Sequence, residues 1–193
     1  MSGPGQAVTS GDISHLLVAG RSCGTCALCC KLYPVDPLNK PRGVWCKHCS
    51  PGRGCQIHAE RPPVCREFFC NWLLVPHLGP EWKPEKCKFV LHSITYANGD
   101  QCLDITVDPD YPHNWRKPEF YEQIKSWARQ AAQQASGPIY FVLVQTGKRK
   151  IVMLPDREID LGQLSDTDQF EVTRDVKAGV ASFAVKVVPR ANS

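Results

Sequence analysis

Nine of the eleven cysteines in this 193-residue chain fall between residues 23 and 70. Such a density of thiols is typical of either a disulfide network or a metal site, because both need several sulfurs close together. The nine residues are Cys23, Cys26, Cys29, Cys30, Cys46, Cys49, Cys55, Cys65 and Cys70. How these sulfurs are paired or bound therefore constrains the fold of the segment more than any other feature of the sequence.

The first residues of the chain bear on the choice between disulfides and metal. Residues 1–20 lack a basic start and contain only a short apolar patch, Leu16–Ala19, so they do not resemble a secretory signal. No run approaches the roughly 18 to 20 apolar residues that cross a membrane. We therefore expect a cytoplasmic protein that is not inserted in a membrane, with a flexible segment at 1–20. In a reducing compartment, clustered cysteines indicate metal binding rather than disulfides.

The spacing of the cysteines indicates how they would bind metal. Residues 23–30 form the pattern CxxCxxCC, and residues 46–49 form a second CxxC. Two thiolates separated by two residues can bind one ion from a single turn of chain. On a helix, Cys23, Cys26 and Cys30 would share one face and Cys29 would point away from it. Because Cys29 and Cys30 diverge, this pattern predicts two separate ions or a bridged cluster.

The number of cysteines also predicts more than one metal ion, although it leaves the identity of the metal open. A tetrahedral zinc ion takes four ligands, so nine thiolates would fill about two sites, or serve three ions if some bridge. Cys23, Cys26 and Cys29 also match the opening of a bacterial ferredoxin run, yet Cys30 follows at once and no cysteine precedes a proline. We expect two or three zinc ions and keep an iron–sulfur cluster as the alternative, because soft thiolates suit both.

Three segments of the sequence, CGTCALCCK, WCKHC and GRGCQIHAERPPVCREFFC, resemble the CxxCxxCC family of zinc- or iron-chelating domain proteins. The resemblance covers about residues 21–75. It includes a second signature, RPxxCRxFxC, at residues 61–70. The resemblance implies metal chelation by the cysteines in a cytoplasmic, bacterial-type protein. It implies no reaction, because the family is defined by its chelating motif, and whether the chain is an enzyme stays open.

Other residues are secondary candidates near this motif. His48 and His58 are reserve nitrogen ligands, since imidazole replaces thiolate in mixed zinc sites. Cys87 opens the next segment and is a candidate for recruitment as a ligand. Cys102 lies in an apparent strand, where a free cysteine packs as a small apolar residue. Arg66, beside Cys65, is either a donor to a metal-bound sulfur or an ordinary surface arginine.

The composition changes near residue 89, where cysteine becomes sparse. We predict an α+β fold, in which a metal-stabilised cysteine-rich region at 21–88 is followed by antiparallel hairpins packed on one main helix at 89–193. Pro62, Pro63 and Pro76 frame a predicted helix at 63–75, with Phe68, Trp72 and Val75 on its core face.

Periodic patterns define the elements of the second region. Asn98-Gly99 predicts a hairpin between residues 88–96 and 101–108, with positive φ at both turn residues. Apolar residues at helical spacing predict a helix at 118–136. A second hairpin is predicted from residues 139–145 and 150–154, with its turn at 146–149. Further strands are predicted at 170–174 and 181–188.

These patterns favour a metal-binding protein that chelates zinc or iron through a polycysteine cluster, with the ions in a structural role. The alternative is an iron–sulfur redox or catalytic protein, or a maturation factor, that uses the cluster for chemistry. No catalytic triad, phosphate-binding loop or dinucleotide fingerprint is present, so no catalytic residue is assigned. The modest net charge of +4 argues against nucleic acid despite the basic tip at 148–150, and an unidentified protein partner stays open.

Overall fold

The computed structural model describes residues 14–132, 137–165, 168–177 and 180–188. Most of the flexible segment predicted at 1–20, residues 1–13, lies outside the described residues. The α-helices are α1 (Cys29–Leu32), α2 (Pro63–Arg66), α3 (Asn71–Leu74), α4 (Pro84–Cys87) and α5 (Pro118–Ala132). Short 3-10 helices occupy Ser14–Leu16, Asp36–Leu38, Pro80–Trp82 and Asn114–Arg116. The strands are β1 (Cys49–Ser50), β2 (Gly54–Cys55), β3 (Phe89–Thr95), β4 (Gln101–Val107), β5 (Tyr140–Thr146), β6 (Arg149–Met153), β7 (Glu158–Gln163), β8 (Gln169–Lys177) and β9 (Val180–Val188). Within these described ranges, no helix is both long enough and apolar enough to span a bilayer.

The described residues form two compact units. Those within Ser93–Ile105 and Arg116–Ser193 make up the sheet unit, and those within Val8–His92 and Thr106–Trp115 make up the cysteine-rich unit. The chain passes from one unit to the other within β3 and again within β4. The predicted boundary at residues 88 and 89 lies close to the first of these crossings, but residues 106–115 return to the cysteine-rich unit.

Antiparallel strands dominate the second part of the chain. Strands β3 to β7 lie side by side in sequence order, and β8 pairs with β9 in a separate two-stranded sheet. The core of the sheet unit contains Cys102, Phe141, Leu143, Val152, Leu154 and Phe183. Helix α5 contacts β5 and buries Phe120, Ile124 and Ala128 at helical spacing. The predicted α+β class with antiparallel hairpins is confirmed, and the last four residues of the predicted helix, 133–136, lie outside the described residues.

The two predicted hairpins form, but the first turn differs from the prediction. Gly99 has φ 87°, whereas Asn98 has no positive φ. The Gly99 amide donates to the Tyr96 carbonyl at 2.9 Å and the Tyr96 amide donates to the Asp100 carbonyl at 2.8 Å. This pattern is a three-residue loop in which only the last residue is left-handed, so one glycine suffices. In the second hairpin Thr146 pairs with Arg149, which leaves a two-residue turn at Gly147 and Lys148.

The cysteine-rich unit contains only short regular elements among its described residues. Its α-helices have four residues each and β1 and β2 have two residues each. One apolar cluster, Leu28, Leu32 and Val90, is packed against Tyr33, Phe68 and Cys70, and the unit also buries Leu73, Leu78, Trp82, Phe89, Leu91, Val107 and Trp115. Most of the unit therefore consists of turns and loops that connect the cysteines.

The single helix predicted at 63–75 is wrong, because the chain forms two short helices there, α2 and α3. Cys70 has φ −72° and ψ 152°, which is extended backbone that no helix can contain. The guanidinium of Arg21 lies 5.0 Å from the centre of the Trp72 ring. It donates to the Trp72 carbonyl and to the carbonyls of Val75, Pro76 and Leu78, at 2.9, 3.0 and 2.6 Å. Arg21 thus satisfies carbonyls at and beyond the end of α3 that have no partner within the helix.

Candidate metal centre

All nine clustered cysteines belong to the cysteine-rich unit, and all eleven cysteines of the chain are free thiols. Cys46 is buried and the other eight clustered residues are half-buried. The chain brings them together through short turns, in two sets of neighbours that meet at Cys30, whose charge acts on both Cys23 and Cys29.

The first thiol group consists of Cys23, Cys26, Cys29 and Cys70. The Cys26 amide donates to the Cys23 carbonyl at 2.8 Å, which closes a tight turn, and α1 begins only at Cys29. The helix imagined over residues 23–30 is therefore limited to its last two residues. Cys70 packs against the Leu28 core, and the Val18 amide donates to the Leu73 carbonyl at 2.8 Å. These contacts hold the segment before Cys23 beside α3.

The second thiol group consists of Cys30, Cys46, Cys49, Cys55 and Cys65. The Cys46 amide donates to the Cys30 carbonyl at 3.1 Å, and the Cys49 amide donates to the Cys46 carbonyl at 2.9 Å. Cys49 lies directly opposite Cys55 in the two-stranded ladder of β1 and β2. Burial raises the pKa of Cys65 in α2, and the charges of Cys30, Cys46 and Cys55 raise it further.

The pKa values of the thiols reflect this crowding. Hydrogen bonds from the thiols of Cys29 and Cys49, with the positive charges of Lys40 and Arg61, lower the pKa of Cys30 to about 6. Burial and the neighbouring Cys30 raise the pKa of Cys49 to about 12. Hydrogen bonding to Cys30 and burial raise the pKa of Cys29 as well. Cys30 is thus the thiol that most readily carries a negative charge, and the thiols of Cys29 and Cys49 donate hydrogen bonds to it.

The pKa values of thiols in the first group also depend on burial and on the charges of neighbouring thiols. Burial raises the pKa of Cys70 to about 11, and the charges of Cys23 and Cys26 act in the same direction. Burial likewise raises the pKa of Cys23 and Cys26, whereas the positive charge of Lys83 opposes that rise in both. Cys70 therefore lies close enough to Cys23 and Cys26 for their charges to interact.

Two basic residues that sequence reasoning missed lie among the thiols. The buried ammonium of Lys40 donates to the Lys31 carbonyl at 2.7 Å and to the Tyr33 carbonyl, and its charge acts on Cys30. Arg61 is half-buried, and its charge lowers the pKa of Cys23, Cys30 and Cys65 against the larger effect of burial in Cys23 and Cys65. Arg61 is the first residue of the RPxxCRxFxC signature, whereas no signal in the sequence distinguishes Lys40 from other surface cations.

Arg66, the arginine beside Cys65, agrees with the second of its two predicted roles, that of a surface arginine. Nε of Arg66 donates to the Arg61 carbonyl at 2.9 Å, and the side chain is exposed. Nε of Arg61, in contrast, is buried and has no hydrogen-bond partner within the part of the chain that is described. Arg61 rather than Arg66 is therefore the arginine placed to donate to sulfur.

Among the remaining candidate ligands, Cys87 lies within electrostatic range of two clustered thiols, because the charges of Cys26 and Cys70 add to the effect of burial and raise its pKa. Nε2 of the exposed His58 ring lies 2.8 Å from a guanidinium nitrogen of Arg61, and His48 is half-buried next to Cys49. The thiol of Cys87 is buried and contacts the carbonyls of Trp82 and Phe89 at 3.4 and 3.1 Å. Cys102 is buried in the core of the sheet unit, as predicted.

The fit of these residues to a metal ion depends on donor chemistry and on arrangement. Nine thiols with three nearby cations suit zinc, copper(I) or iron, because these metals prefer soft thiolate ligands. Throughout the described segments, however, no group of three or more His, Cys, Asp or Glu side chains stands where it could hold a metal ion. The donors fit, and the sulfurs would have to move closer together to make a closed site.

Comparison with known proteins adds no relative. Searches of the chain against protein-family models, curated proteins and solved structures give no match.

The contact between two loops of this region yields a first prediction. Gly54 is buried with φ 88°, and a Cβ atom there would lie 2.9 Å from the Gly24 carbonyl oxygen. Gly52 has φ 78°, but a Cβ atom there would meet nothing within 4 Å. Gly52→Ala should lower the free energy of unfolding by about 1 kcal/mol through its left-handed backbone. Gly54→Ala should cost about twice as much, since the backbone of the neighbouring turn must also shift.

Urea denaturation of the two variants beside the unaltered chain tests this prediction. Gly52→Ala is the matched control, because it carries the same backbone strain without the close approach. Equal losses in both variants would mean that the turn at Gly24 does not pack against β2.

Proposed function

We propose that this protein binds zinc or iron through its clustered cysteines and that the bound ions hold the cysteine-rich unit together. One observation carries the proposal: nine thiols from five separate short segments converge in one unit, among buried positive charges. The resemblance of residues 21–75 to the CxxCxxCC family supports the same function.

The cysteine-rich unit contains little regular secondary structure, and this supports a structural role for the ions. Isolated helices shorter than about 12 residues and isolated pairs of strands are marginal in water. Four-residue helices and a two-residue ladder therefore contribute little stability by themselves. Metal binding would supply folding free energy, because ligands far apart in sequence are joined through one ion.

On this proposal, binding draws the sulfurs from electrostatic range to bonding distance, about 2.3 Å for zinc. The thiols lie mainly in turns and at the ends of short elements, where small backbone shifts and rotation about χ1 bring sulfurs closer. Cys30 would be the first to bind, since hydrogen bonds from Cys29 and Cys49, with the charges of Lys40 and Arg61, already favour its thiolate. The positive charges nearby would then offset part of the negative charge of a thiolate site.

The identity of the metal is tested by purifying the full chain anaerobically and measuring metal content, acid-labile sulfide and visible absorption. We expect about two zinc ions for nine thiols and no sulfide. If the protein contained iron and matching sulfide, the cofactor would be an iron–sulfur cluster and not zinc. That result would favour the redox alternative. A folded chain that retains neither metal, and binds neither when it is added, would contradict the proposal.

A second prediction concerns the two neighbouring arginines. Arg61→Gln removes the charge that acts on Cys23, Cys30 and Cys65, so zinc affinity should fall by about tenfold to a hundredfold. Arg66→Gln is the matched control, because this exposed side chain bonds only to a backbone oxygen among the contacts described. Competition with a chromophoric chelator measures both affinities. If the two variants lose affinity equally, Arg61 has no particular role beside the sulfurs.

A further inference from the structure

We propose that Cys49 and Cys55 form a site of reversible oxidation, at which the two thiols join in a disulfide across the β1–β2 ladder. The chemical class of reagent is a two-electron oxidant of thiols, such as hydrogen peroxide. Both cysteines are free thiols in this structure, which therefore shows the reduced state of the pair. The inference goes beyond the proposed function and needs no bound metal, because it follows from the register of two strands.

The hydrogen bonds of the ladder determine how close the two cysteines lie. The Gln56 amide donates to the His48 carbonyl at 2.8 Å, so these residues form a hydrogen-bonded pair next to the cysteines. Hydrogen-bonded and non-hydrogen-bonded pairs alternate along antiparallel strands, so Cys49 and Cys55 occupy a non-hydrogen-bonded position. Their side chains therefore lie on the same face of the ladder, and their Cα atoms are about 4.5 Å apart.

This separation lies within the range that a disulfide requires. Disulfide-bonded cysteines have Cα atoms about 4.4 to 6.8 Å apart, most often about 5.5 to 6 Å. The two sulfurs can therefore be joined by side-chain rotation, without a change in the path of the backbone. Because the Cα atoms are closer together than in most disulfides, the bond should also be reduced more readily than a structural disulfide.

The turn between the two strands sets this register. The Arg53 amide donates to the Ser50 carbonyl at 2.8 Å, and Pro51 and Gly52 are the central residues of the turn. Gly52 has φ 78°, and proline followed by a left-handed glycine is typical of a type II turn. A slip of one residue in one strand would place the two cysteines on opposite faces. The turn residues therefore keep both thiols on one face.

The hairpin is accessible to small reagents. Both of its thiols are half-buried, and the turn residues Pro51, Gly52 and Arg53 are exposed. The thiols of Cys87 and Cys102, in contrast, are buried. An oxidant in solution should therefore reach the hairpin thiols more readily than these two.

Oxidation by hydrogen peroxide takes place in two steps. The thiolate of one cysteine attacks a peroxide oxygen, which breaks the O–O bond, forms a sulfenic acid and releases hydroxide. The thiol of the other cysteine then attacks the sulfenic sulfur, and water leaves as the S–S bond forms. In total, the two thiols lose two protons and two electrons, and one peroxide becomes two molecules of water. A dithiol reductant such as dithiothreitol reverses the reaction by thiol–disulfide exchange.

Two other thiols compete for Cys49. The Cys49 amide donates to the carbonyl of the buried Cys46 at 2.9 Å, which closes a turn between them. The side chain of Cys30 is hydrogen-bonded to that of Cys49. Among the described residues, however, only Cys55 faces Cys49 across a strand ladder, which holds both backbones at the separation that a disulfide needs. We therefore expect Cys55 to be the partner.

One equivalent of hydrogen peroxide, added to the full chain after a chelator has removed any metal, tests the assignment. Trypsin cuts after Arg53, so Cys49 and Cys55 fall in different peptides, 48–53 and 54–66. Tandem mass spectrometry of the joined peptides, after alkylation of the remaining thiols, distinguishes Cys55 from Cys65. We expect a loss of two free thiols per chain, a Cys49–Cys55 link as the main product, and recovery of both thiols with dithiothreitol.

The same oxidation in urea is the matched control. In the unfolded chain, Cys46–Cys49 should exceed Cys49–Cys55 by roughly threefold, because its loop is half as long. The opposite order in the folded chain would show that the ladder selects the pair. A folded chain that links Cys49 to Cys30 or to Cys46 instead, or that forms no disulfide, would overturn the assignment.

Zinc separates this inference from the proposed function. A chain loaded with zinc before oxidation should form less of the disulfide, because both thiols are candidate ligands. If zinc gave no protection, the role of these two cysteines as ligands would be contradicted, but the disulfide would stand. If zinc were bound and the metal-free chain formed no Cys49–Cys55 link, the disulfide would be overturned and the proposed function would stand.

Discussion

Removal of metal from the full chain with a chelator under reducing, anaerobic conditions should lower its unfolding temperature by about 10 °C. An ion held at a thousand times its dissociation constant stabilises the folded state by about 4 kcal/mol. A chain of this length shifts by about 2 to 4 °C for each kcal/mol. The effect is expected to be this large because the four-residue helices and two-residue strands of the cysteine-rich unit contribute little stability by themselves.

Hydrogen exchange locates the effect within the same experiment. Backbone amides of residues 23–55, such as the Cys26 and Cys46 amides, should lose protection when metal is removed. Amides of β5 and β6 in the sheet unit serve as the internal control, because their ladder is held by an apolar core without candidate metal ligands. Equal loss of protection in both units, or none in either, would contradict a structural role for the ions in the cysteine-rich unit.

The sheet unit was largely predictable from the sequence because its local patterns agree with its packing. The apolar run of β5 is buried at Phe141–Val144, and α5 buries Phe120 and Ile124 of the apolar residues whose spacing predicts the helix. Glycine at the turn positions and the apolar character of Cys102 lead to the same arrangement. In this unit, most of the predicted elements are specified by residues within themselves.

Strand β7 was not predicted, and its sequence explains why. Residues Glu158–Gln163 include two acidic residues and a glycine, which are depleted in strands. The strand pairs with β6, from which Arg149 contributes an ion pair to Asp160, and a register shift occurs between Lys150 and Ile151. Ile159 and Leu161 alternate and pack against the core of the sheet unit, but the acidic residues and the glycine beside them weaken this pattern in the sequence.

The sequence predicted that the clustered cysteines lie in one region, but it did not predict the path of the chain between them. The spacing indicated that the cysteines act together, and the structure brings all nine into one unit. The interruption of the helix at Cys70, however, depends on packing against Leu28, which lies about forty residues away. The approach of Lys40 and Arg61 to Cys30 depends likewise on contacts between loops. Loop positions of this kind are set by long-range contacts, which periodicity does not encode.

An ion pair next to the CxxCxxCC segment supplies the second large prediction. Lys31, which directly follows Cys30, is 6% exposed, and its ammonium lies 2.6 Å from carboxylate oxygens of both Asp108 and Asp110. Asp108 is 4% exposed, and its Oδ1 also accepts the Asp110 amide at 3.1 Å. Burial opposes charging of Lys31, but hydrogen bonds to the two carboxylates outweigh it and raise the pKa of the ammonium. The pair therefore attaches α1 to residues 108–110 of the same unit.

Lys31→Met should lower the free energy of unfolding by about 3 kcal/mol, as measured by urea denaturation at matched metal content. The substitution preserves most of the side-chain volume but leaves the Asp108 carboxylate buried without its counter-charge, which is costly. Because α1 carries Cys29 and Cys30, its loosening should also weaken zinc binding. Asp108→Asn tests the same contact from the other side, and it should cost less because Lys31 keeps Asp110 as a partner.

Asp110→Asn is the matched control for the buried contact. Its side chain is 72% exposed, so the ion pair that it forms with Lys31 is screened by water and should contribute less than about 1 kcal/mol. The contrast between the two aspartates separates burial from charge, since both carboxylates lie at the same distance from the ammonium. If Asp110→Asn destabilised the protein as much as Lys31→Met does, the stabilisation would come from the exposed pair. The inferred attachment of α1 through Asp108 would then be wrong.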